Sequence, residues 1–221
     1  GYKVSLFGIA NEVTGKFALN IIPESCHTGK GANVVISLLQ HFFDNCGLKE
    51  CHLALHADNC VGQNKNNTVL QWLLWRVGRG SHVSFRLSFL PVGHTKFALD
   101  LYFRLFKKVF RLSESSSIGD VVRVAVQACP HSNSIIAITV GDEEGVCFVK
   151  TYDWVSLFSE AKSIPNFKKQ YLFRSSEKLG VVIFKTDLNA VESEFRVFPE
   201  GYDYSRTPDI VHPVPLTQDR A

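Results

Sequence analysis

The stretch that decides the fold is His-Leu-Ala-Leu-His-Ala-Asp-Asn-Cys-Val-Gly-Gln-Asn-Lys-Asn-Asn, residues 52–67. An apolar run stops at Asp58 and is followed by a loop rich in amide side chains. Ligands and metals tend to bind at the carboxyl ends of strands in α/β sheets. A simple turn needs only one or two Gly, Asn or Asp residues. The additional amides therefore indicate a binding site directly after this strand.

The patterns on either side of this stretch predict a sheet flanked by helices. Short β-branched and aromatic runs at 3–9 and 16–22, separated by Asn-Glu-Val-Thr-Gly, predict a hairpin. The segments that follow are a helix (33–43), a strand (50–57), a helix (67–77), a strand (83–92) and helices at 97–112 and 118–128. We expect the strand before Asp58 to be central, with the hairpin antiparallel on one side and the strand at 83–92 parallel on the other.

Side chains alternate along a strand, so Leu53 and Leu55 should share one face and His52, His56 and Asp58 the other. Apolar residues in the strand at 83–92 continue the Leu53 and Leu55 face. Because strands covered by helices on both faces are largely apolar, we expect helices on both sides of the sheet.

The chain divides by pattern into three segments. Residues 1–128 carry the core, residues 129–198 form a small β-rich α+β extension, and residues 199–221, with several prolines, form an extended or disordered tail. The sequence opens on Gly-Tyr-Lys-Val and contains no methionine, so we expect it to be cut from a longer polypeptide.

Composition limits the class of protein. A chain of 221 residues with 45% hydrophobic content can bury a sizeable core. A net charge of +3 permits nucleic-acid binding without demanding it. The six cysteines form no Cys-x-x-Cys pair and no signal peptide is apparent, so we expect reduced thiols in a nuclear or otherwise intracellular protein. No window holds the about 18–20 apolar residues needed to cross a bilayer, so we expect no membrane partner.

Two motifs together carry a family resemblance. The first is Asp-Asn-Cys-Val-Gly-Gln-Asn-Lys-Asn at 58–66, and the second is Gly-His-Thr followed by Asp100 within 93–100. Over residues 3–110 the chain resembles a transposon-derived family of uncharacterised animal proteins with a DDE-transposase-like, RNase H-like core. Residues 152–154 and 180–182 resemble the C-terminal portion of that family. The resemblance implies an α/β fold with an RNase H-like mixed sheet flanked by helices, whose first strand is missing from this chain.

The resemblance also implies metal-dependent phosphodiester cleavage or strand transfer on DNA. Such chemistry needs several carboxylates that converge on two Mg²⁺ or Mn²⁺ ions. The resemblance makes Asp58 and Asp100 the second and third acidic ligands, with catalytic and metal-binding roles. The first acidic ligand lies on the missing strand, and Glu12 in the hairpin turn is the nearest substitute as a metal ligand. We therefore expect the intact parent to be catalytic and this chain to be inactive.

DNA is the expected partner, bound through phosphate contacts that weaken with salt. The residues expected to contact nucleic acid are Gln63, Asn64, Lys65, Asn66, His94, Lys96, Arg104, Lys107 and Lys108. The sequence leaves a homo-oligomer open. We expect no structural zinc, because Cys51 and His52 must point to opposite faces of one strand.

Simpler interpretations stand beside each of these assignments. Asp58 can cap the turn that follows it, Asp100 can be a first-turn carboxylate favoured by the helix dipole, and the basic residues after Asp100 can be a solvated helix face. Two other functions also remain open. One is a domesticated binding module for nucleic acid or protein without catalysis, and the other is an unrelated α/β enzyme acting on a small phosphorylated substrate.

Overall fold

The computed structural model describes residues 2–47, 49, 51–90, 98–128 and 135–214. The chain forms two compact units, each assembled from segments distant in sequence. The hairpin unit consists of described residues within Gly1–Thr28, Lys96–Thr151 and Val211–Ala221, and the Asp58 unit of those within Gly29–Thr95 and Tyr152–Ile210. The predicted boundaries at 128 and 198 differ from this division, because residues distant in sequence join each unit.

The regular elements alternate between helix and strand over much of the chain. In order they are β1 (Val4–Asn11), β2 (Lys16–Pro23), α1 (Ala32–Asn45), β3 (His52–Ala57), α2 (Asn67–Gly78), β4 (Ser84–Phe89), α3 (Ala98–Arg111), α4 (Ile118–Gln127), β5 (Ile135–Thr139), β6 (Thr151–Tyr152), α5 (Trp154–Leu157), β7 (Leu172–Ser175), β8 (Val181–Lys185), β9 (Ser193–Arg196) and β10 (Ile210–Val211). Single 3-10 turns occupy Glu24–Cys26 and Phe167–Lys169. The fold is a mixed α/β structure.

The hairpin unit contains a three-stranded sheet in the order β1-β2-β5. β1 and β2 are antiparallel, which confirms the predicted hairpin, and β5 runs parallel to β2. Asn11 Oδ1 accepts hydrogen bonds from the backbone N–H groups of Val13 and Thr14 in the turn, and Gly15 there adopts φ +66°. Such a positive φ favours glycine, and an Asn side chain that bonds to its own turn is typical of tight turns.

Two helices cover the hairpin sheet. The core between sheet and helices contains Leu19 and Ile21 of β2, Tyr102 and Phe106 of α3, and Val124 of α4. A capping box starts α4: Ser117 Oγ accepts from the Asp120 N–H, and the Asp120 carboxylate accepts from the Ser117 N–H. This reciprocal pair satisfies two backbone donors that a helix start leaves unpaired.

The Asp58 unit contains a five-stranded sheet in the order β3-β4-β7-β8-β9. β3 and β4 are parallel with His52 opposite Ser84, and helix α2 connects them, as predicted. The remaining pairs are antiparallel. The prediction that β3 is the central strand is wrong, because β3 lies at one edge of this sheet and the hairpin pairs with β5 instead.

One face of the five-stranded sheet packs against helices α1, α2 and α5. Its core includes Leu53, Leu73, Phe85 and Phe173, and Trp72 is fully buried. The opposite face of β3 is exposed at His52, Ala54 and His56. The alternation predicted for β3 is therefore confirmed, whereas the expectation of helices on both faces is wrong for this strand.

Part of the predicted tail also belongs to this core. Tyr202 is buried and packs in a tilted arrangement against Phe198, with 4.4 Å between the ring centroids, and Tyr204 contacts both rings. The Tyr204 ring leaves no room for a Cβ at Gly78, the last residue of α2. The segment around these tyrosines is folded because aromatic burial outweighs the turn-rich composition.

Candidate functional site

The candidate site is the loop from Asp58 to Asn66, which follows β3 at the carboxyl end of the parallel β3–β4 pair. The Asp58 side chain is exposed. Its Oδ1 atom accepts hydrogen bonds from the Cys60 N–H at 3.1 Å and from Asn64 Nδ2 at 2.7 Å. Within the described part of the chain, Oδ2 accepts none. Asp58 therefore organises its own loop through one of its two carboxylate oxygens.

The backbone of the loop closes on a single carbonyl. Cys60 O accepts from the N–H groups of Gln63, Asn64 and Lys65 at 2.9–3.1 Å. Asn66 then caps helix α2, because its Oδ1 accepts from the Val69 N–H at 3.0 Å while its Nδ2 donates to Gln63 O. An amide at this position is a preferred helix N-cap. The amide side chains of this loop thus serve largely in local hydrogen bonds, which is a structural role.

Lys65 does not extend into solvent. Its exposed fraction is 2%, and its Nζ donates to Asn59 Oδ1 at 3.0 Å. The ammonium lies 3.6 Å from the centroid of the Tyr171 ring and 5.2 Å from that of Phe89. Burial lowers the pKa of Lys65, since it disfavours the charged form. The expectation that Lys65 contacts phosphate does not fit this position, and a structural role replaces it.

Asn59 extends this connection to the neighbouring strand. Its Nδ2 donates to the carbonyl of Leu90, directly after β4, while its Oδ1 accepts from Lys65. The Leu90 N–H in turn donates to Ala57 O. The loop is therefore pinned to the ends of both parallel strands, which holds the Asp58 carboxylate at a defined position on the sheet edge.

The exposed face next to Asp58 carries a ladder of histidine–serine pairs. His56 Nδ1 and Ser88 Oγ lie 2.5 Å apart, and His52 Nδ1 and Ser84 Oγ lie 2.8 Å apart. Each histidine is directly opposite its serine in the β3–β4 register. Directly paired cross-strand side chains contribute modestly to sheet stability. His56 therefore lies on the surface of the sheet and is hydrogen-bonded to the neighbouring strand β4.

The other predicted site residues lie elsewhere. Asp100, Arg104, Lys107 and Lys108 are exposed on α3, and Glu12 is exposed in the β1–β2 turn. All five belong to the hairpin unit, whereas Asp58, Gln63, Asn64 and Asn66 belong to the Asp58 unit. His94 and Lys96 lie outside the described residues. The structure thus brings the amides of the loop to Asp58, and groups the basic residues with Asp100 on one helix.

Metal ligands are not clustered in the described part of the chain. No group of three or more His, Cys, Asp or Glu side chains there could hold a metal ion. Asp58 contributes one exposed carboxylate oxygen with amides beside it. A stable Mg²⁺ or Mn²⁺ site from these residues alone does not fit, because such sites use several carboxylates.

A cavity of about 230 Å³ among described residues of the Asp58 unit does not belong to this loop. It is lined by residues preceding β3 and β4, among them Cys51 and His82, and so lies at the opposite end of these strands. Arg76 at its wall donates to Gln40 Oε1 at 2.7 Å and to His82 Nδ1 at 3.1 Å. This arginine is buried and anchors α2 to α1.

The family model described as a domain of unknown function, DUF7869, matches residues 3–188. The chain belongs to this family. No curated protein and no solved structure matches the chain. In the described residues, no helix is long and apolar enough to span a membrane.

Sequence reasoning missed the role of Tyr171 and Phe89, whose rings bury Lys65. The only available signal was that Lys65 is a lone cation among amides, next to a helix start. The two rings lie far from Lys65 in sequence, so no local pattern connects them to it.

Proposed function

We propose that this chain is a transposase-derived, RNase H-like DNA-binding domain that is itself inactive. Its intact parent cleaves or transfers DNA strands with Mg²⁺ or Mn²⁺. The observation that carries the proposal is Asp58 at the carboxyl end of β3, in a parallel β3–α2–β4 unit. A carboxylate at this place in the topology is what the resemblance to DDE-transposase-like proteins requires.

Two open sheet edges support an RNase H-like arrangement, which is more specific than the mixed α/β fold described above. Among the described strands, β1 pairs only with β2, and β3 pairs only with β4. An unpaired edge presents a row of N–H and C=O groups that favours pairing with a further strand. In the arrangement we propose, one additional strand that carries the first acidic ligand pairs with the open edge of β3 and runs parallel to it.

Helix α3 supports DNA as the partner. Its exposed residues include Arg104, Lys107, Lys108 and Arg111, and Asp100 lies in the first turn of the same helix. Residues 100, 104, 107 and 111 follow a spacing of three and four, so they share one helix face. Cations on one face of a helix can contact successive phosphates and release counterions, which gives binding without base specificity.

The number of carboxylate ligands supports the proposed inactivity of this chain. In-line displacement needs ions held between several carboxylates, and the described residues provide no such cluster. A plasmid-nicking assay with Mg²⁺ or Mn²⁺ should therefore show no cleavage by the 221-residue chain, and cleavage by a chain extended upstream to include the additional strand that we propose. Cleavage by the short chain that disappears in Asp58→Ala would contradict the proposal of inactivity.

The DNA-binding part is tested by a salt titration with double-stranded DNA. The double variant Lys107→Gln/Lys108→Gln should bind more weakly, and its dependence of log affinity on log salt should be shallower by about 2, or about 1 for each phosphate that is no longer neutralised. Lys168→Gln/Lys169→Gln removes the same charge from exposed residues of the Asp58 unit and serves as the control. Equal weakening of both variants would show that net charge alone, not α3, is responsible.

A second candidate function is a domesticated binding module without catalysis. The hydrogen bonds of Asp58 favour it, because Oδ1 accepts from the Cys60 N–H and from Asn64 Nδ2 and so has a structural role within the loop. The extended chain distinguishes the two candidates, because a binding module remains inactive when the additional strand is included. A small phosphorylated substrate is disfavoured, since Lys65, the cation of the loop, is buried.

A further inference from the structure

We propose that Cys26 and Cys147 form a redox-modification site, a dithiol that a small disulfide such as glutathione disulfide converts into an intramolecular disulfide. Both cysteines belong to the hairpin unit and both are free thiols in the structure. They play no part in the function proposed above, so the inference stands independently of it.

The backbone places the two thiols next to each other. Cys26 ends the 3-10 turn after β2, and Cys147 forms an isolated antiparallel bridge with Gly141. A Cβ on Gly141 would lie against Cys26 Sγ and 3.2 Å from Cys147 Cα, so the Cys26 sulfur lies beside the backbone of Cys147. Cys26 Sγ also packs so closely on Gly141 that a Cβ there would collide with it. The absence of a side chain at Gly141 therefore lets the buried sulfur reach the bridge that carries Cys147.

Hydrogen bonds fix both backbone segments in this arrangement. Ser25 Oγ donates to Asp142 O at 2.7 Å, which joins the turn of Cys26 to the hairpin of Cys147. Asp142 Oδ1 accepts from the Val146 N–H at 2.8 Å, and the Asp142 N–H donates to Val146 O. Both partners are therefore held in place before reaction, which favours a disulfide, since its geometry tolerates little backbone movement.

The two thiols differ in accessibility. Cys26 is 3% exposed, and burial together with the neighbouring Cys147 raises the pKa of its thiol to about 12. Cys147 is half-buried. Since the thiolate is the attacking species and must reach the oxidant, Cys147 reacts first and Cys26 second.

The reaction proceeds by two exchanges. The Cys147 thiolate attacks one sulfur of glutathione disulfide, a Cys147–glutathione disulfide forms, and one glutathione thiolate leaves. The Cys26 sulfur then attacks Cys147 Sγ, the bond from Cys147 to glutathione breaks, and the Cys26 proton passes to the second glutathione, which leaves as a thiol. Two protein thiols are oxidised to one disulfide, and one glutathione disulfide is reduced to two thiols, so electrons and atoms balance.

The cross-link would stabilise the hairpin unit. It joins the end of β2 to the hairpin at 141–147, in which Glu143 Oε1 accepts from the N–H of Ile118, the first residue of α4, at 2.8 Å. It also closes a long loop of chain, which reduces the conformational freedom of the unfolded state. Oxidation should therefore raise the melting temperature, and a thiol reductant should reverse the increase.

The test is oxidation of the folded 221-residue chain with glutathione disulfide, followed by acid quench, alkylation and non-reducing peptide mapping. Cleavage at glutamate is required, because Glu143 and Glu144 lie between Cys129 and Cys147 in sequence. The expected product is a Cys26–Cys147 peptide that dithiothreitol separates. No cross-link in the folded chain, or a Cys129–Cys147 peptide as the main product, would overturn the proposal.

Three single variants separate the two steps. Cys26→Ser should accumulate the Cys147–glutathione disulfide, because the second thiol is gone, whereas Cys147→Ser should leave Cys26 unmodified. Cys51 is an exposed cysteine of the Asp58 unit. The Cys51→Ser variant should form the cross-link like the wild type and serves as the control. Circular dichroism on each variant establishes that it is folded. If Cys26 in the Cys147→Ser variant were glutathionylated as much as Cys147 in the Cys26→Ser variant, the proposed order of reaction would be contradicted.

Discussion

Lys65 offers the sharpest test of how the site loop is held. Replacing it with Met keeps most of the buried stem and removes the ammonium, whereas replacing it with Ala also removes the stem. In the folded chain the ammonium donates to Asn59 Oδ1 and lies over Tyr171. If the loop depends on these interactions, both variants should lower stability, and Ala should do so more strongly than Met.

The expected magnitudes follow from the interactions that each variant removes. A hydrogen bond from a charged donor is worth about 1.5–3 kcal/mol, and a cation–π interaction about 0.5–2 kcal/mol. Met avoids the cost of burying an ammonium, which offsets part of this loss, so we expect a net decrease of about 2 kcal/mol in the free energy of unfolding. Ala removes about three further buried methylenes at about 0.8 kcal/mol each, which gives a total of about 4 kcal/mol.

Thermal unfolding monitored by circular dichroism is the assay, with urea unfolding as a second measurement. A loss of about 2 kcal/mol should lower the melting temperature by about 4–8 °C in a chain of this size. DNA affinity at a temperature where every variant is folded should be unchanged. A variant of full stability with weakened DNA binding would refute the buried, structural role of Lys65.

The pH dependence provides an independent check. The folded-state pKa of Lys65 lies below 10.5, because burial disfavours its charged form. Between that folded pKa and about 10.5 the unfolded chain binds more protons, so stability rises with pH across this window. The free energy of unfolding of the wild type relative to Lys65→Met should therefore increase as the pH rises toward 10.5. A decrease would mean that the folded chain prefers the charged lysine.

Three further substitutions probe the scaffold. Ser37→Ala should lower stability by about 2–4 kcal/mol in urea unfolding, because Ser37 Oγ accepts from the Tyr152 N–H and from Trp154 Nε1, and both donors would lose their partner; a loss below about 0.5 kcal/mol would contradict this. Gly78→Ala should lower the melting temperature, since a Cβ there collides with Tyr204, whereas Gly62→Ala, with open space around it, should not; equal effects would argue against the close packing of Tyr204 on Gly78. Ser117→Ala should cost about 1 kcal/mol through loss of the α4 cap, and unchanged thermal unfolding would show that the cap is dispensable.

Local pattern was sufficient where one element determines its own structure. The spacing of Phe97, Leu101 and Leu105 predicted the helix α3, and the alternation around Leu53 predicted both the strand β3 and its buried face. The crossover from β3 through α2 also allowed the parallel pairing with β4 to be predicted. In each case the signal lies within one segment or between consecutive segments.

Pairing between distant segments could not be predicted in this way. β5 joins the hairpin sheet through its parallel register with β2, from Phe17 opposite Ile135 onward, and β7 extends the other sheet beyond β4. Strands that pair at long range carry the same alternation whichever neighbour they have. The burial of Lys65 has the same origin, because Tyr171 just before β7 reaches it only after that strand has paired.

The exposed face of β3 was, by contrast, visible in the sequence and misinterpreted. Leu53 and Leu55 drew attention to one apolar face, but His52, Ala54 and His56 between them already alternate with it. Strict alternation is typical of a strand with one solvated face, whereas a strand covered on both faces is a continuous apolar run. The alternation should have outweighed the expectation of two helical layers.

The function of the Asp58 loop depends on how many carboxylates meet there. The loop fixes Asp58 through Oδ1 and leaves Oδ2 without a hydrogen bond from any described residue. One preorganised oxygen is a good ligand in a set and a poor site alone, because a divalent ion retains its water shell unless several oxygens replace it. The same geometry therefore serves catalysis when other carboxylates are supplied, and only structure when none are. The distinction therefore lies outside the loop, in whether further carboxylates are brought to Asp58.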